Sequence, residues 1–370
     1  MKSIYKTNPR VLYITFEYDG KAIEPNGGAQ NTLAIAFKAE IKSDVFLLER
    51  GGEHDAFSGT LYAHDENPES FLKSNHKVLY TLIKDKRYDI LHFLNHGEQV
   101  NHIVKYLKKK ELNLKMVYSA YTLNQGQDTS HLTCLLAEVD CIHVPTMSMA
   151  RSLSQTYPQI LGAKPIVVVP YGVDTSLYPQ PASFEIEALK NNLELREDIL
   201  LLCELGDDAP NNLEVLNNTF SKINEAYEKL KIILVDHKIS SSQSFSALHT
   251  QSHKDSRDKV MVISPEEVSL SNLLALATVY LKVKTEDDAF AMYAPMILKT
   301  PVVALKQPIV EDILIDGVDG FMFSFDDPTQ LVHVLMELLG SQERRNQLSQ
   351  EAYTKIMEKY NWDTVSKMYA

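Results

Sequence analysis

The chain alternates short apolar runs with longer stretches in which apolar residues recur every three or four positions. "RVLYITFEY", "SDVFLLER", "YDILHFLN", "LKMVYSAY", "VDCIHVPT" and "KPIVVVPY" have strand length and read as buried strands. "GGAQNTLAIAFKAEI", with Leu33, Ala36, Phe37 and Ala39 at helical spacing, reads as a helix, as do "QVNHIVKYLKKKE" and "SMARSLSQTY". The second half repeats the alternation through "DILLLCEL", "KIILVD", "KVMVIS", "VYLKVK", "PVVAL" and "GFMFSF". It closes on a helical stretch from Pro328 to Trp362, with a break expected at Gly340. Strands alternating with helices predict parallel sheets joined by right-handed crossovers.

Between the halves, "PYGVDTSLYPQPASFE" is rich in proline and turn residues and reads as a hinge. The predicted fold class is therefore α/β, with two doubly wound Rossmann-like domains facing across a cleft. The expected boundaries are 1–172 for an N-terminal, acceptor-side domain and 173–350 for a C-terminal, donor-side domain. Residues 351–370 are expected to form a helix crossing back to the first. Ligands of such sheets bind beyond the carboxyl ends of the strands, so the cleft is the expected site.

Composition narrows the function classes. A length of 370 residues suits two domains with their own cores, and a net charge of -12 argues against a nucleic-acid binder. Three cysteines, Cys134, Cys141 and Cys203, lack C-x-x-C spacing, which favours a reducing cytosol over a disulfide framework or zinc site. No apolar run approaches the ~18 residues of a membrane span. The N-terminus also lacks a signal-peptide apolar region, so the expected location is cytoplasmic. The lysine run "VKYLKKKELNLK" reads as a helix C-terminus whose cations offset the dipole. Its alternative reading is a peripheral contact with the anionic inner face of a membrane.

The candidate chemistry begins at Gly27 and Gly28, which precede a helix and suit either close backbone approach to an anion or a plain turn. His92 and His96 flank Asn95 at the end of a predicted strand, a polar cluster without metal-site spacing. Taken in order, the glycine loop, "YDILHFLNH", "VDCIHVPTMSMARSL", "IVVVPYGVDTSLYPQ", "DILIDGVDGFMFSFDDPTQL" and the closing "YNW" resemble one family over essentially the whole chain. It is the large retaining, metal-independent group of nucleotide-sugar glycosyltransferases with the GT-B fold (glycosyltransferase group 1, family 4-like). The resemblance implies transfer of a sugar from a nucleotide-sugar donor to a glycan, lipid or protein acceptor, with no cofactor and no metal. It also places Tyr171, in the hinge motif, at the cleft.

Several positions depart from the family pattern. Tyr121 and Thr122 stand where the family carries a histidine and an aspartate. Glu204 falls at an arginine, and Asn211 at a lysine, that together clamp the donor diphosphate, with Asp207 and Asp208 between them. Aligning "TPVVA" puts Glu286 at the first of two family glutamates, which makes it the best catalytic candidate, and Ala294 at the second. Asp287, Asp288 and Ala289, followed by Phe290, replace a proline-phenylalanine-glycine run, and Pro308 and Ile309 replace a glycine pair. Two unit charges about 5 Å apart at an effective dielectric of about 20 interact by about 3 kcal/mol. An unpaired glutamate in place of the arginine would thus oppose diphosphate binding.

Three readings stay open from sequence. The first is a working glycosyltransferase in which Lys282, Lys284, Lys306 or Arg151 replaces the clamp. The second is a catalytically silent relative that binds a glycan or serves as a protein partner's subunit. The third, minor one is a nucleotide-sugar epimerase.

Overall fold

A computed structural model of the chain describes residues 9–15, 32–33, 36, 39–47, 61–62, 68–94, 97–121, 130–195, 199–204, 213–235, 260–263, 268–283 and 292–369. The contacts divide the chain into two compact units, Met1–Val173 with Tyr360–Ala370, and Asp174–Lys359.

The first unit is built on strands β1 (Val11–Thr15), β2 (Ser43–Leu47), β3 (Leu61–Tyr62), β4 (Ile90–Phe93), β5 (Lys115–Ser119), β6 (Cys141–Val144) and β7 (Ile166–Val168). They form one seven-stranded sheet in the order β3-β2-β1-β4-β5-β6-β7. Every pairing is parallel. The period of two along a strand sends Leu12, Ile14, Leu91, Phe93, Tyr118 and Ile142 to one face. There they share a core with Leu79, Ile83, Val104, Leu107, Leu135 and Leu153 from the flanking helices. On the other face, Val11, Tyr13 and Val45 pack against Leu33 and Ala36, two helical residues between β1 and β2. Farther along the same face, Val169 packs against Val365 and Trp362 of the C-terminal helix Trp362–Tyr369.

The second unit contains β8 (Ile199–Glu204), β9 (Leu230–Val235), β10 (Val260–Ile263), β11 (Val279–Lys282), β12 (Val302–Leu305) and β13 (Phe321–Phe323). Their order is β10-β9-β8-β11-β12-β13, again all parallel. Leu201, Cys203, Leu281 and Val303 meet Leu216 and Phe220 of helix Leu213–Ala226 and Leu331 and Leu335 of helix Pro328–Gly340. Strands buried on both faces carry near-continuous apolar runs, which is how "ILLLC" and "KIILV" read.

The helix break expected at Gly340 is there: one helix ends at Gly340 and the next, Gln342–Lys355, starts behind Ser341, whose side chain accepts from the Arg344 N–H. A side chain at Gly340 would stand 2.9 Å from the Tyr227 hydroxyl, which itself donates to the Met336 carbonyl. Residues expected to cross back from 351 continue this helix as far as Lys355. Leu348 of that helix lies in the second core, and the chain returns to the first unit only at Tyr360. The stretch between β2 and β4, where the sequence reading placed no element, holds β3 and the 19-residue helix Pro68–Lys86. Among the described residues, no helix is long and apolar enough to cross a membrane.

Candidate functional site

In both sheets the strand order reverses, between β1 and β4 in the first and between β8 and β11 in the second. Such switch points open a crevice at the carboxyl ends of the strands. Polar side chains gather near each one.

In the first unit, His92 of β4, Ser119 of β5 and His143 of β6 point to the same sheet face and form a buried hydrogen-bond chain. His92 Nε2 lies 2.7 Å from Ser119 Oγ, Ser119 Oγ lies 2.7 Å from His143 Nδ1, and His143 Nε2 lies 3.0 Å from the Val169 carbonyl. The direction of this chain follows from its last link. A carbonyl only accepts, so His143 carries its proton on Nε2. Burial pushes the His143 imidazole down to about 4, although the bond to Val169 works the other way, so the ring is neutral and Nδ1 is an acceptor. Ser119 must therefore give its one proton to His143 and accept from His92 Nε2–H. His92, pushed down to about 3 by burial and then by His143, is likewise neutral, and its Nδ1 remains as an acceptor.

Tyr121 extends the cluster. Its ring lies 6.5 Å from that of His143, edge on, and stacks on Tyr171 at 6.2 Å and 27°. Its hydroxyl is 2.7 Å from Thr32 Oγ1. Burial raises its pKa well above the usual phenol range, against the pull of bonds to Ser119 and Thr32. Three predicted site residues, His92, Tyr121 and Tyr171, thus fall in one cluster. Sequence reasoning missed its two connectors, Ser119 and His143. The signal was present, because Ser119 stands two residues before Tyr121 and so shares its face, but the cross-strand register that brings His143 opposite Ser119 is not written locally.

In the second unit, Glu204 and Lys282 are the last residues of β8 and β11 and stand directly opposite each other in register. Lys282 Nζ is 2.9 Å from Glu204 Oε2 and 3.3 Å from the Tyr280 hydroxyl, which also donates to Glu204. Glu204 is 4% and Lys282 1% exposed. This corrects the expectation that Glu204 presents an unpaired negative charge: the carboxylate is neutralised inside the sheet by the neighbouring strand. Lys282, for its part, is committed to that pair rather than projecting into solvent.

Other expected residues are placed as follows. Ala294 lies in the first turn of the short helix Tyr293–Ile297 and is partly buried. Lys306, directly after β12, is exposed and 3.4 Å from Glu311. Arg151 is exposed on helix Met147–Thr156. Gly27, Gly28, His96, Asn211, Lys284, Glu286, Asp287, Asp288, Ala289 and Phe290 lie outside the described residues.

The glycine-rich motif "DILIDGVDGFMF" proves to be a tight turn. Gly317 takes the left-handed region at φ 72°. Asp316 accepts from the Met322 N–H and Asp319 from the Ile315 N–H, each at 2.7 Å. Lys355 caps the arrangement by binding Asp319 and, at 2.6 Å, the Ile313 carbonyl.

Comparison with known proteins agrees with this architecture. The sequence model of the family described as "Glycosyl transferases group 1" matches residues 185–355. No curated protein sequence matches the chain. A solved glycosyltransferase from Rickettsia africae superposes with a TM-score of 0.74 at 11% identity, over 98% of this chain and 97% of that one. Anabaena HepE, solved in complex with UDP, gives 0.70 at 13% identity over 97% and 98%. Sucrose-phosphate synthase from Thermosynechococcus elongatus gives 0.65 at 15% identity over 98% and 97%. Likeness at these identities is likeness of fold, and the fold is GT-B.

Proposed function

We propose that this chain transfers a sugar from a nucleotide-sugar donor to a glycan, lipid or protein acceptor, because residues 185–355 match the glycosyl transferases group 1 model and the fold is GT-B. The observation that carries the reading is the Glu204–Lys282 pair. The strongest sequence argument against donor binding was a carboxylate where the family has an arginine. A pair at 2.9 Å carries no net charge, so it does not repel a diphosphate as a lone glutamate would. The cation the phosphates need is then supplied from elsewhere at the same sheet edge. Lys306 is the favoured stand-in, since it is exposed and its Glu311 partner is itself in solvent, where such pairs are worth little.

On this reading the donor is a nucleoside diphosphate sugar, in line with HepE, which has been solved with UDP-glucose. This reading assigns donor contacts to Glu286 with Asp287, Asp288, Ala289 and Phe290, and acceptor contacts to Gly27, Gly28, His92, Tyr121 and Tyr171. A second reading, the catalytically silent relative, is favoured by Ala294: a methyl group cannot hold ribose hydroxyls as a carboxylate does.

Calorimetric titration with uridine, guanosine and adenosine diphosphate sugars separates the two. The transferase reading expects micromolar binding of one of them, weakened about tenfold by Lys306→Ala. Absence of binding across the whole panel would leave the silent reading.

A further inference from the structure

The first unit holds a cavity of about 510 Å3 on the sheet face that carries the His92–Ser119–His143 chain. It runs along this face from Val169, just past the carboxyl end of β7, by His92 and His143 to Ile90 and Cys141 at the amino ends of β4 and β6 and to Pro9 before β1. Much of it thus lies toward the edge opposite the carboxyl ends, where nucleotides bind in such sheets. The C-terminal helix borders it through Met368. Its size falls in the ~300–1,000 Å3 range of small-molecule sites.

The lining specifies the ligand. Val117, Cys141, Val167 and Met368 offer hydrocarbon and sulfur. Among the described residues, Glu40 is the one charged lining residue, and it is exposed. A carboxylate or phosphate would therefore lose its hydration with no cation among the described lining residues to replace it. A sugar would bury several hydroxyls against Val117, Val167 and Met368, at a cost for each one left unbonded. Tyr13, Cys141 and His143 add polar groups to the wall, and His92 adds a ring nitrogen that accepts. His92 lines the cavity and is 6% exposed. With its Nε2 donating to Ser119, its Nδ1 is an acceptor without a partner among the described residues.

We propose that this cavity binds an uncharged apolar alcohol, whose hydroxyl donates to His92 Nδ1 and whose hydrocarbon body lies along Val117, Cys141 and Val167. The site is separate from donor binding and stands whether or not the chain transfers sugar.

Trp362 is the single tryptophan of the chain and packs against Val169, itself a lining residue, so its fluorescence reports occupancy. The full-length protein is titrated with 1-octanol and with its isomer 1-methoxyheptane, which has the same atoms but no hydrogen-bond donor. The proposal expects saturable binding of the alcohol, about tenfold tighter than the ether. His92→Phe should bring the alcohol down to the ether's affinity. Val167→Phe fills the cavity from a position that is 45% exposed and tolerant of change, and should weaken both ligands. No saturable response to octanol, equal affinity for alcohol and ether, or an unchanged affinity in Val167→Phe would each overturn it. The isomer comparison and Val167→Phe keep the test decisive even where His92→Phe does not fold.

Discussion

His92 and His143 are buried in neutral form, which links stability to pH. Their folded values, about 3 and about 4, lie below the ordinary imidazole value of 6.5. Between those limits the unfolded chain binds protons that the folded chain refuses, so unfolding is favoured as pH falls. Their contribution is complete above about pH 6.5 and is lost progressively toward pH 4, at about 1 kcal/mol per pH unit for each histidine. Urea denaturation of the first unit at pH 7 and pH 5 should show this fall, and His143→Gln should flatten it. A flat profile in the unchanged protein would mean the rings are already protonated when folded.

The Glu204–Lys282 pair makes a second residue-scale prediction. Removing one member leaves a buried charge, so Glu204→Gln and Lys282→Met should each destabilise the second unit by about 3–5 kcal/mol. The double change Glu204→Met with Lys282→Leu should cost less than the two singles summed; simple additivity in the denaturation midpoints would deny the coupling. An arginine at 204, the residue that the family resemblance implies there, would instead set two cations side by side. Sequence alone could not show this, because the partners are 78 residues apart and meet only through the β8–β11 register.

At the scale of elements, the strands were legible because both faces of a parallel sheet are buried, and β-branched runs such as "KIILVD" have no other use at that length. β3, at two residues, is too short to show any period. Helix Pro68–Lys86 was missed because polar and charged residues interrupt its apolar positions, although Leu79 and Ile83 enter the core. The "DGVDGFMF" motif was legible as a family mark but not as a device. Its glycines are backbone requirements: a Cβ at Gly320 would sit 3.2 Å from the Val302 carbonyl and from Leu314. Gly317 holds a conformation that costs an alanine about 1 kcal/mol. Gly317→Ala and Gly320→Ala should therefore lower the melting temperature of the second unit. Gly320→Ala should do so more strongly, since backbone cannot step aside as a side chain can. An unchanged melt for Gly320→Ala would show that the turn relaxes.

Across the whole molecule, the repeated strand–helix alternation was readable as two sheets because each half carries its own complete apolar pattern. The attachment of the last helix was harder to read, since it depends on contacts across nearly two hundred positions of sequence. Val173 N–H donates to the Tyr360 carbonyl at 2.8 Å, Trp362 N–H donates to the Val173 carbonyl at 3.1 Å, and Val365 is fully buried in the first unit. Burying one valine side chain is worth about 1.5–3 kcal/mol, and the two backbone bonds add about 1 kcal/mol each. A chain ending at Lys359 loses all of these from the first unit and none from the second. Scanning calorimetry should then resolve two transitions, with the first unit's lowered by several degrees and the second unit's unmoved. Were the second unit's transition to fall instead, residues 360–370 would belong with the other sheet, and the wall that Met368 gives the cavity would have to be reassigned with them.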